Sequence, residues 1–292
     1  MLPNFLVVGA QKSGTTSLHN YLVAHPEVYL PVQKETKFFV HDKFYNRGIK
    51  YYEEKYFSGR TTEVGIGEVD PDYMYCEQAL PRIVRHLDLN ALKIIFIFRN
   101  PVERAFSQYL MNYRRGHEPL SFGEAIEKES SRIKLGHMEN LRYSYVTRGY
   151  YLRQVERFLE YIDQSQMLFL LSEDLKTSAL SSVREVYHFL GVSNDFVPPN
   201  IDKQFHRATA PRSLALVRRI KGGGWETRLL RLLIPSVTLR HSLRTYLLRI
   251  NQTSQGGIVL DEDERRSLVE LFRTENERLA AFLGRDLSHW SI

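Results

Sequence analysis

The stretch Gly9–Thr16, GAQKSGTT, follows the apolar run Phe5–Val8 and has the composition of a phosphate-binding loop. In a loop of the GxxxxGK[ST] kind a lysine follows the second glycine, but here Thr15 follows Gly14 and the only lysine is Lys12. A loop from a strand into a helix presents backbone N–H groups and the positive end of the helix dipole, which favour an anion. Further donors come from the hydroxyl groups of Ser13, Thr15, Thr16 and Ser17. A hydroxyl-rich helix cap without a ligand is the alternative.

A second candidate anion site follows the apolar run Lys93–Phe98. A nucleoside triphosphate site would keep an acidic residue at the end of such a strand to hold magnesium, but Arg99 stands here. A cation at this position favours direct neutralisation of a phosphate, without a metal. Asp70 and Asp72 follow a weaker strand and leave a magnesium-dependent kinase open. Ser107 lies eight residues after Arg99, close enough for both to reach one anion.

Short apolar runs alternate with helical periodicity, which predicts an α/β fold with a P-loop-type central parallel β-sheet and helices on both faces. The predicted strands are Phe5–Val8, Gly65–Glu68, Lys93–Phe98 and Met167–Leu171. The predicted helices are Thr16–Val23, Gln78–Leu87, one that starts at Pro101, Phe122–Ile133, Tyr151–Ile162 and Ser181–Leu190. Two strand-turn-helix units therefore carry the two candidate anion sites.

The 292 residues suffice for one large domain, which we expect to consist of a nucleotide-binding and catalytic core over 1–213 and a helical region over 214–292. The net charge of +6 favours an anionic partner, such as a nucleotide, an acidic glycan, nucleic acid or a membrane surface. Cys76 is the only cysteine, so no intrachain disulfide or cysteine-rich zinc site can form. A single cysteine, without a leader or an apolar run of membrane length, predicts a soluble, cytoplasmic protein.

The segment Trp225–Ile250 is basic and rich in leucine. Leu239, Leu243, Leu247 and Ile250 share one helical face, which would suit peripheral contact with an anionic membrane or binding of an acidic glycan. Alternatively, two helices separated by Pro235 pack on the main domain and expose their arginines. The sequence leaves both interpretations open and favours the second.

The two motifs in this order, each after a strand, resemble those of the sulfotransferases that use 3'-phosphoadenosine 5'-phosphosulfate (PAPS). The resemblance implies that QKSGTTS binds the 5'-phosphosulfate, through Gln11, Lys12, Ser13, Gly14, Thr15, Thr16 and Ser17. It also implies that Arg99 and Ser107 bind the 3'-phosphate. PAPS would be the co-substrate, Lys12 would stabilise the leaving phosphate, and no metal would be required.

The segment KETKFF resembles the lysine-glutamate-aromatic stretch of the glycan-modifying branch of that family, which includes the heparan sulfate enzymes. By this resemblance Glu35 would be the catalytic base, although Thr36 and Lys37 stand where that branch often has Pro and His. A surface carboxylate paired with Lys34 or Lys37 is the alternative for Glu35, and His41 and His25 are competing bases. GEVDPDY resembles a substrate-cleft segment of the same branch, with Val69 where a lysine is common.

Other segments resemble parts of the family's nucleotide pocket. In LLSEDL, Ser172 stands where some members place a tyrosine beside the adenine, so RGYYLRQVERFL would supply Tyr150 instead. HRATAPRS resembles a loop that closes over the 3'-phosphate with a basic residue, either Arg207 or Arg212.

Together these features predict an enzyme that transfers a sulfuryl group to a hydroxyl group of a carbohydrate or glycolipid, with a small alcohol, a phenol or a peptide side chain still open. The rival from another class is a noncatalytic nucleotide-binding or nucleic-acid-binding module. The chain has neither zinc-finger spacing nor a Gly-aromatic RNA signature, so we expect no nucleic-acid partner.

Overall fold

The computed structural model of the chain describes residues 1–202, 210–211, 252–253 and 258–292. The chain divides into two compact units. The first comprises Met1–Arg104, Val146–Phe205 and Ser267–Ile292, and the second comprises Ala105–Tyr145 and His206–Arg266. The organisation of all 292 residues as one domain stays a prediction.

The first unit contains a five-stranded parallel sheet with the strand order β2-β3-β1-β4-β5. Its strands are β1 (Phe5–Gly9), β2 (Val28–Tyr29), β3 (Gly65–Val69), β4 (Lys93–Phe98) and β5 (Met167–Leu171). The three middle strands are buried over nearly their whole length, as expected for a parallel sheet covered on both faces. The α/β prediction and its four strands are confirmed.

The register of the middle strands explains where a ligand would bind. Val7 of β1 pairs with Val69 of β3 on one side and with Ile95 of β4 on the other. The carboxyl ends of the three strands therefore lie at one edge of the sheet. Ligands of open α/β sheets bind outside this edge.

Helices surround the sheet in the first unit, and the second unit also contains helices. The helices among the described residues are α1 (Thr15–Val23), α2 (Asp42–Tyr45), α3 (Ile49–Tyr56), α4 (Ala79–His86), α5 (Pro101–Arg114), α6 (Phe122–Glu127), α7 (Glu129–Arg132), α8 (His137–Tyr143), α9 (Tyr151–Leu159), α10 (Ser172–Thr177), α11 (Ala179–Leu190) and α12 (Glu262–Leu283). None of them is long and apolar enough to span a bilayer.

One predicted helix is wrong in its extent. Instead of one helix over Phe122–Ile133, α6 ends at Glu127 and α7 begins at Glu129. Lys128 lies between them with φ −86° and ψ −1°, and this ψ angle departs from the helical value of about −42°. Apolar periodicity does not indicate such a local change of one backbone angle.

The core of the first unit joins α1 and α11 to one face of the sheet. Leu18 and Leu22 of α1, Val186 of α11 and Ile95 of β4 are all fully buried members of one cluster. Full burial of such a side chain stabilises the fold by about 1.5–3 kcal/mol. Gly67 shows how tightly the sheet packs, because a Cβ atom there would lie 2.2 Å from the Phe5 ring.

The second unit has its own buried polar centre. The fully buried Glu118 carboxylate pairs with Arg132 at 2.7 Å and accepts a hydrogen bond from the Tyr145 hydroxyl at 2.8 Å. Two short strands, β6 (Ala210–Pro211) and β7 (Gln252–Thr253), pair antiparallel in this unit. The basic segment Trp225–Ile250 lies outside the described residues, so its helical structure stays a prediction.

Candidate active site

The loop between β1 and α1 holds the residues predicted to bind the donor's phosphosulfate. The Ala10 N–H donates to the Ile97 carbonyl at 2.8 Å, which fixes the start of the loop to the sheet edge. Lys12 and Gly14 have φ angles of 72° and 105°. The left-handed conformation costs a residue other than glycine about 1–2 kcal/mol, and such backbone strain is concentrated at ligand-binding sites. The first turn of α1, formed by Thr15, Thr16 and Ser17, contains no acidic residue, which favours an anion there.

Arg99 follows β4 and braces this loop. Its Nη1 donates a hydrogen bond to the Lys12 carbonyl at 3.2 Å, and its Nη2 lies 3.4 Å from a Glu103 carboxylate oxygen. The guanidinium side chain is 21% exposed, so solvent or a ligand can reach it. The structure therefore places one residue from each predicted anion site in direct contact.

Four other predicted residues are not shown to join this contact. Ser107 lies on α5 in the second unit, so its pairing with Arg99 on one anion stays a prediction. The Tyr150 ring packs against Phe272 with ring centroids 5.5 Å apart. Its role beside the adenine also stays a prediction. Arg207 and Arg212 lie outside the described residues.

The segment Lys34–Phe39 forms a tight loop whose main chain is held by buried carboxylates. The Thr36 N–H donates to Glu68 of β3 at 3.0 Å, and the Lys37 N–H donates to Asp70 at 3.0 Å. Glu35 and Lys37 both have left-handed backbone conformations, with φ angles of 60° and 59°. The two hydrogen bonds hold the loop in this conformation, because each joins a loop N–H to a buried acceptor.

Glu35 lies between two lysines. One carboxylate oxygen is 2.6 Å from the ammonium of Lys34, and the other is 3.0 Å from that of Lys37. Burial opposes the charge of the carboxylate, but Lys37 and Lys34 outweigh burial and lower the pKa of Glu35. The carboxylate is thus ionised at neutral pH and partly exposed, as a general base requires. Both lysines of the alternative interpretation do contact Glu35, which leaves its role as the base a prediction.

Glu68 anchors the loop from the sheet side. It is buried, and it accepts hydrogen bonds from the hydroxyl groups of Tyr52 on α3 and, at 2.9 Å, Tyr73. Burial raises the pKa of Glu68, and it also raises the pKa of both tyrosines well above the ordinary value. The tyrosines therefore remain neutral donors that hold the carboxylate in place.

Asp72 links the Lys34–Phe39 loop to the loop between β1 and α1, which is called the donor loop below after its predicted role. Its carboxylate lies 2.8 Å from the Lys37 ammonium, 2.8 Å from the Arg148 guanidinium and 3.3 Å from the Gln11 amide nitrogen. Burial would raise the pKa of Asp72, but Lys37 and Arg148 outweigh it and hold that pKa well below its usual range. Glu35 and Gln11 are thereby connected through two side chains.

Asp70 and Asp72, the two carboxylates that the sequence offered as possible magnesium ligands, both pair with cationic side chains. Asp70 lies 2.7 Å from the Lys37 ammonium, and Asp72 pairs with both Lys37 and Arg148. Within the described part of the chain, no group of three or more His, Cys, Asp or Glu residues has the arrangement of a metal site. The absence of a metal requirement stays a prediction.

The histidines near the site have different surroundings. His25 is buried, with one ring nitrogen 2.9 Å from the Ser193 carbonyl and the other accepting from the Glu27 N–H at 3.1 Å. These contacts occupy both nitrogens, so His25 is a weak competitor as a base. His19 on α1 has its pKa lowered to about 4 by burial and by Lys34, and its imidazole is therefore neutral at pH 7. His41 precedes α2.

The comparison with known protein families identifies the family of this chain. The model of the sulfotransferase domain matches residues 2–210, more than half of the chain, and includes both loops and the carboxylate cluster. The chain belongs to the sulfotransferase family. The predicted family and enzyme class are confirmed.

Among its curated relatives, the sulfotransferase is 32% identical over 208 residues to the mouse bifunctional heparan sulfate N-deacetylase/N-sulfotransferase 4. The match covers 66% of this chain and 22% of the relative. It is 28% identical to mouse heparan sulfate glucosamine 3-O-sulfotransferase 3A1, over 76% of this chain and 53% of that protein. The chain thus spans about a fifth of the first relative's length and half of the second's.

The sulfotransferase also resembles a solved structure over its full length. The crystal structure of a sulfotransferase from Alicyclobacillus acidocaldarius aligns with a TM-score of 0.73 and 29% identity, covering 100% of both chains. This likeness confirms the sulfotransferase fold.

Sequence reasoning did not assign roles to Lys37 and Arg148 in this sulfotransferase. The sequence identifies Lys37 as a departure from a common histidine and as a possible partner of Glu35, and it identifies Arg148 as part of a supporting segment. One signal was present, because Asp70 and Asp72 place two acids directly after a buried strand. Such charges inside a fold require cationic partners nearby.

Proposed function

We propose that this sulfotransferase moves a sulfuryl group from PAPS to a hydroxyl group of a glycan or glycolipid, with Glu35 as the base. The observation that supports this proposal best is the contact sequence from Glu35 through Lys37 and Asp72 to Gln11. It puts the candidate base and the candidate donor loop in one hydrogen-bonded network.

The donor supplies a sulfuryl group bonded through oxygen to its 5'-phosphate. As the acceptor oxygen bonds to sulfur, Glu35 takes the hydroxyl proton, and the bond between sulfur and the phosphate oxygen breaks. The leaving 3',5'-bisphosphoadenosine gains negative charge, which the Lys12 ammonium and the N–H groups of the loop stabilise. Preorganised donors of this kind typically contribute about 10²–10³ in rate each, and a general base about 10²–10⁴.

The nature of the acceptor is inferred from the relatives. Their names include heparan sulfate and, for one, glucosamine 3-O-sulfation, and that relative matches 76% of this chain. The N-sulfotransferase relatives make an amine the competing acceptor. A base is required in either case, because both acceptors lose a proton as the bond to sulfur forms.

The proposed location is the cytoplasm, supported by the single, buried Cys76. Peripheral membrane contact through Trp225–Ile250 belongs to the same proposal and depends on that segment's charge alone. We propose no nucleic-acid partner.

The donor is tested by thermal melting with 3',5'-bisphosphoadenosine in the presence of EDTA. Stabilisation under these conditions supports the proposal, since a ligand that binds the native state raises its melting temperature. Stabilisation only by a nucleoside triphosphate with magnesium would support a kinase instead. A rise in melting temperature on addition of nucleic acid, which becomes much smaller as the salt concentration increases, would support a nucleic-acid-binding module.

The acceptor is tested with ³⁵S-labelled PAPS and a matched panel. The panel contains a fully N-acetylated glucosamine-uronate polysaccharide, the same polysaccharide after N-deacetylation, a neutral glycolipid and a simple phenol. Label on the N-acetylated polymer or the glycolipid supports a hydroxyl acceptor. Label on the N-deacetylated polymer alone would make the acceptor an amine, and label on the phenol alone would exclude the glycan proposal.

A further inference from the structure

The Lys37 ammonium is surrounded by three carboxylates. It lies 2.7 Å from Asp70, 2.8 Å from Asp72 and 3.0 Å from Glu35, and its side chain is only 20% exposed. Asp70 is fully buried and Glu35 is partly exposed, so the lysine connects the interior of the fold to the open side of the loop.

We propose that Lys37 is a positioning residue that fixes the place and the ionised state of Glu35, and that Asp70 and Asp72 hold Lys37 for this role. The inference depends on the proposed function, because it assigns Lys37 a part only if Glu35 is the base. Lys37 itself transfers no proton. It acts on the reaction through the carboxylate beside it.

Two hydrogen bonds hold the main chain of the loop, one at Thr36 and one at Lys37. Glu35 and Lys37 both have left-handed backbone conformations, which residues with a side chain adopt only when their surroundings hold them. Asp70 holds Lys37 twice, at the main-chain N–H and at the ammonium, with distances of 3.0 and 2.7 Å. Among the described residues, loss of the ammonium would leave the Glu35 carboxylate paired with Lys34 alone, whose hydrogen bond is to a single carboxylate oxygen.

Several titratable groups surround the Glu35 carboxylate. Lys34 and Lys37 lie on its own loop, His19 approaches from α1, and Asp70 and Asp72 lie behind Lys37. His19 is neutral at pH 7 because its pKa is about 4, so it could not replace the positive charge of Lys37 beside Glu35. Without Lys37 the Glu35 carboxylate would face two further carboxylates, which raises the pKa of an acid. Buried Glu68 also contributes to the negative field around Asp70.

Asp72 extends this arrangement to the donor loop. The same carboxylate contacts the Lys37 ammonium at 2.8 Å and the Gln11 amide at 3.3 Å. Lys37 therefore sets the position of Glu35 relative to the loop that carries Lys12. A displaced base lowers turnover without weakening donor binding, because the donor loop keeps its own contacts.

The experiment compares Lys37→Met with Lys50→Met, the same substitution at a side chain that is 86% exposed on α3. We expect the acid limb of the kcat/KM profile of Lys37→Met to move up by about one pH unit or more, since the Glu35 pKa rises when a neighbouring cation is lost. We expect kcat at pH 6 to fall about tenfold or more, with the donor KM within about twofold of the unmodified protein. Lys37→Arg should restore the acid limb, and Lys50→Met should leave it unchanged.

Two results would overturn the inference. One is an acid limb at the unmodified position in Lys37→Met, and the other is a raised acceptor KM with kcat retained, which would make Lys37 an acceptor contact. Because Lys37→Met leaves the buried Asp70 carboxylate without its cation, Lys37→Met/Asp70→Asn restores the charge balance. Its acid limb should still lie above the unmodified position, but less far than in Lys37→Met, because one of the two carboxylates that face Glu35 is then neutral. Glu35→Gln separates the two proposals, because full activity in that variant would remove Glu35 as the base whatever Lys37 does.

Discussion

Arg99 donates a hydrogen bond to the carbonyl oxygen of Lys12 across 3.2 Å, so the residue after β4 supports the loop after β1. One residue of each predicted anion site thus takes part in a direct contact within the first unit. A ligand that draws Arg99 toward one phosphate would also act on the conformation of Lys12, whose φ angle of 72° needs such support.

Replacement of Lys12 by methionine should reduce kcat by about 10²–10³, because one preorganised donor to the developing negative charge is lost. The methionine side chain keeps the length of the apolar stem, and the fold should be unaffected. Steady-state kinetics and melting temperature would be measured beside Lys50→Met, which removes an exposed ammonium on α3. Near-normal turnover in a folded Lys12→Met protein would contradict the assignment.

Replacement of Arg99 by methionine should weaken binding of 3',5'-bisphosphoadenosine by about 10–100-fold, as expected for lost hydrogen bonds to a charged group. Binding of adenosine 5'-monophosphate, which has no 3'-phosphate, should change by less than about threefold. Calorimetric titration of both nucleotides checks this, with Arg85→Met on the exposed side of α4 as the control. Equal losses for the two nucleotides would mean that Arg99 only supports the Lys12 loop.

The central sheet was predictable because its strands are continuous apolar runs. The run Lys93–Phe98 is buried on both faces of the sheet, and no polar residue interrupts its pattern. Val28–Tyr29 was missed because two residues are too few to show a period. The helix Ile49–Tyr56 was missed because charged residues dominate it, and only Tyr52 and Tyr56 face the interior.

The two loops of the site were predictable for the same local reason. Lys12 lies in the loop that follows β1 and Arg99 directly follows β4, and sequence order alone determines both positions. The role of Lys37 was not predictable, since its partners Asp70 and Asp72 lie 33 and 35 residues further along the chain. Such contacts arise from the register of β3 in the sheet, which no local pattern encodes.

Replacement of Asp72 by asparagine should lower the free energy of unfolding at pH 7 by about 3–5 kcal/mol, because two buried cations lose a partner. The pKa of Asp72 is lowered in the folded state by Lys37 and Arg148 despite burial. Its contribution is therefore complete above the unfolded pKa of about 4 and is lost as the pH falls below that value.

Urea unfolding at pH 7 and at pH 3 tests this dependence on pH. The difference in the free energy of unfolding between Asp72→Asn and the unmodified protein should be smaller at pH 3 than at pH 7. Asp195→Asn changes an exposed residue, so its free energy of unfolding should differ from that of the unmodified protein by less than about 0.5 kcal/mol at either pH. A difference that is constant with pH would show that the charge of Asp72 is not what stabilises the fold.

Trp290 connects the end of the chain to the Arg99 site. It is fully buried, its indole N–H donates to Glu173 at 3.1 Å, and its carbonyl accepts from Asn100 at 3.1 Å. Its ring lies 6.3 Å from that of Tyr151, whose hydroxyl donates to the Arg99 carbonyl at 2.8 Å. The indole thus packs near Tyr151, which holds the Arg99 carbonyl, whereas the Asn100 side chain is held by the main-chain carbonyl of Trp290.

Trp290→Ala should cost about 3–5 kcal/mol of stability, because a large cavity opens in the first unit. Affinity for 3',5'-bisphosphoadenosine should fall with it, since Tyr151 loses the surface on which it packs. Ile292→Ala is the control, because that side chain is 86% exposed and should contribute less than about 0.5 kcal/mol. If Trp290→Ala loses stability but binds the nucleotide as tightly as Ile292→Ala, Trp290 stabilises the core of the first unit without positioning Arg99. Other contacts would then hold Arg99.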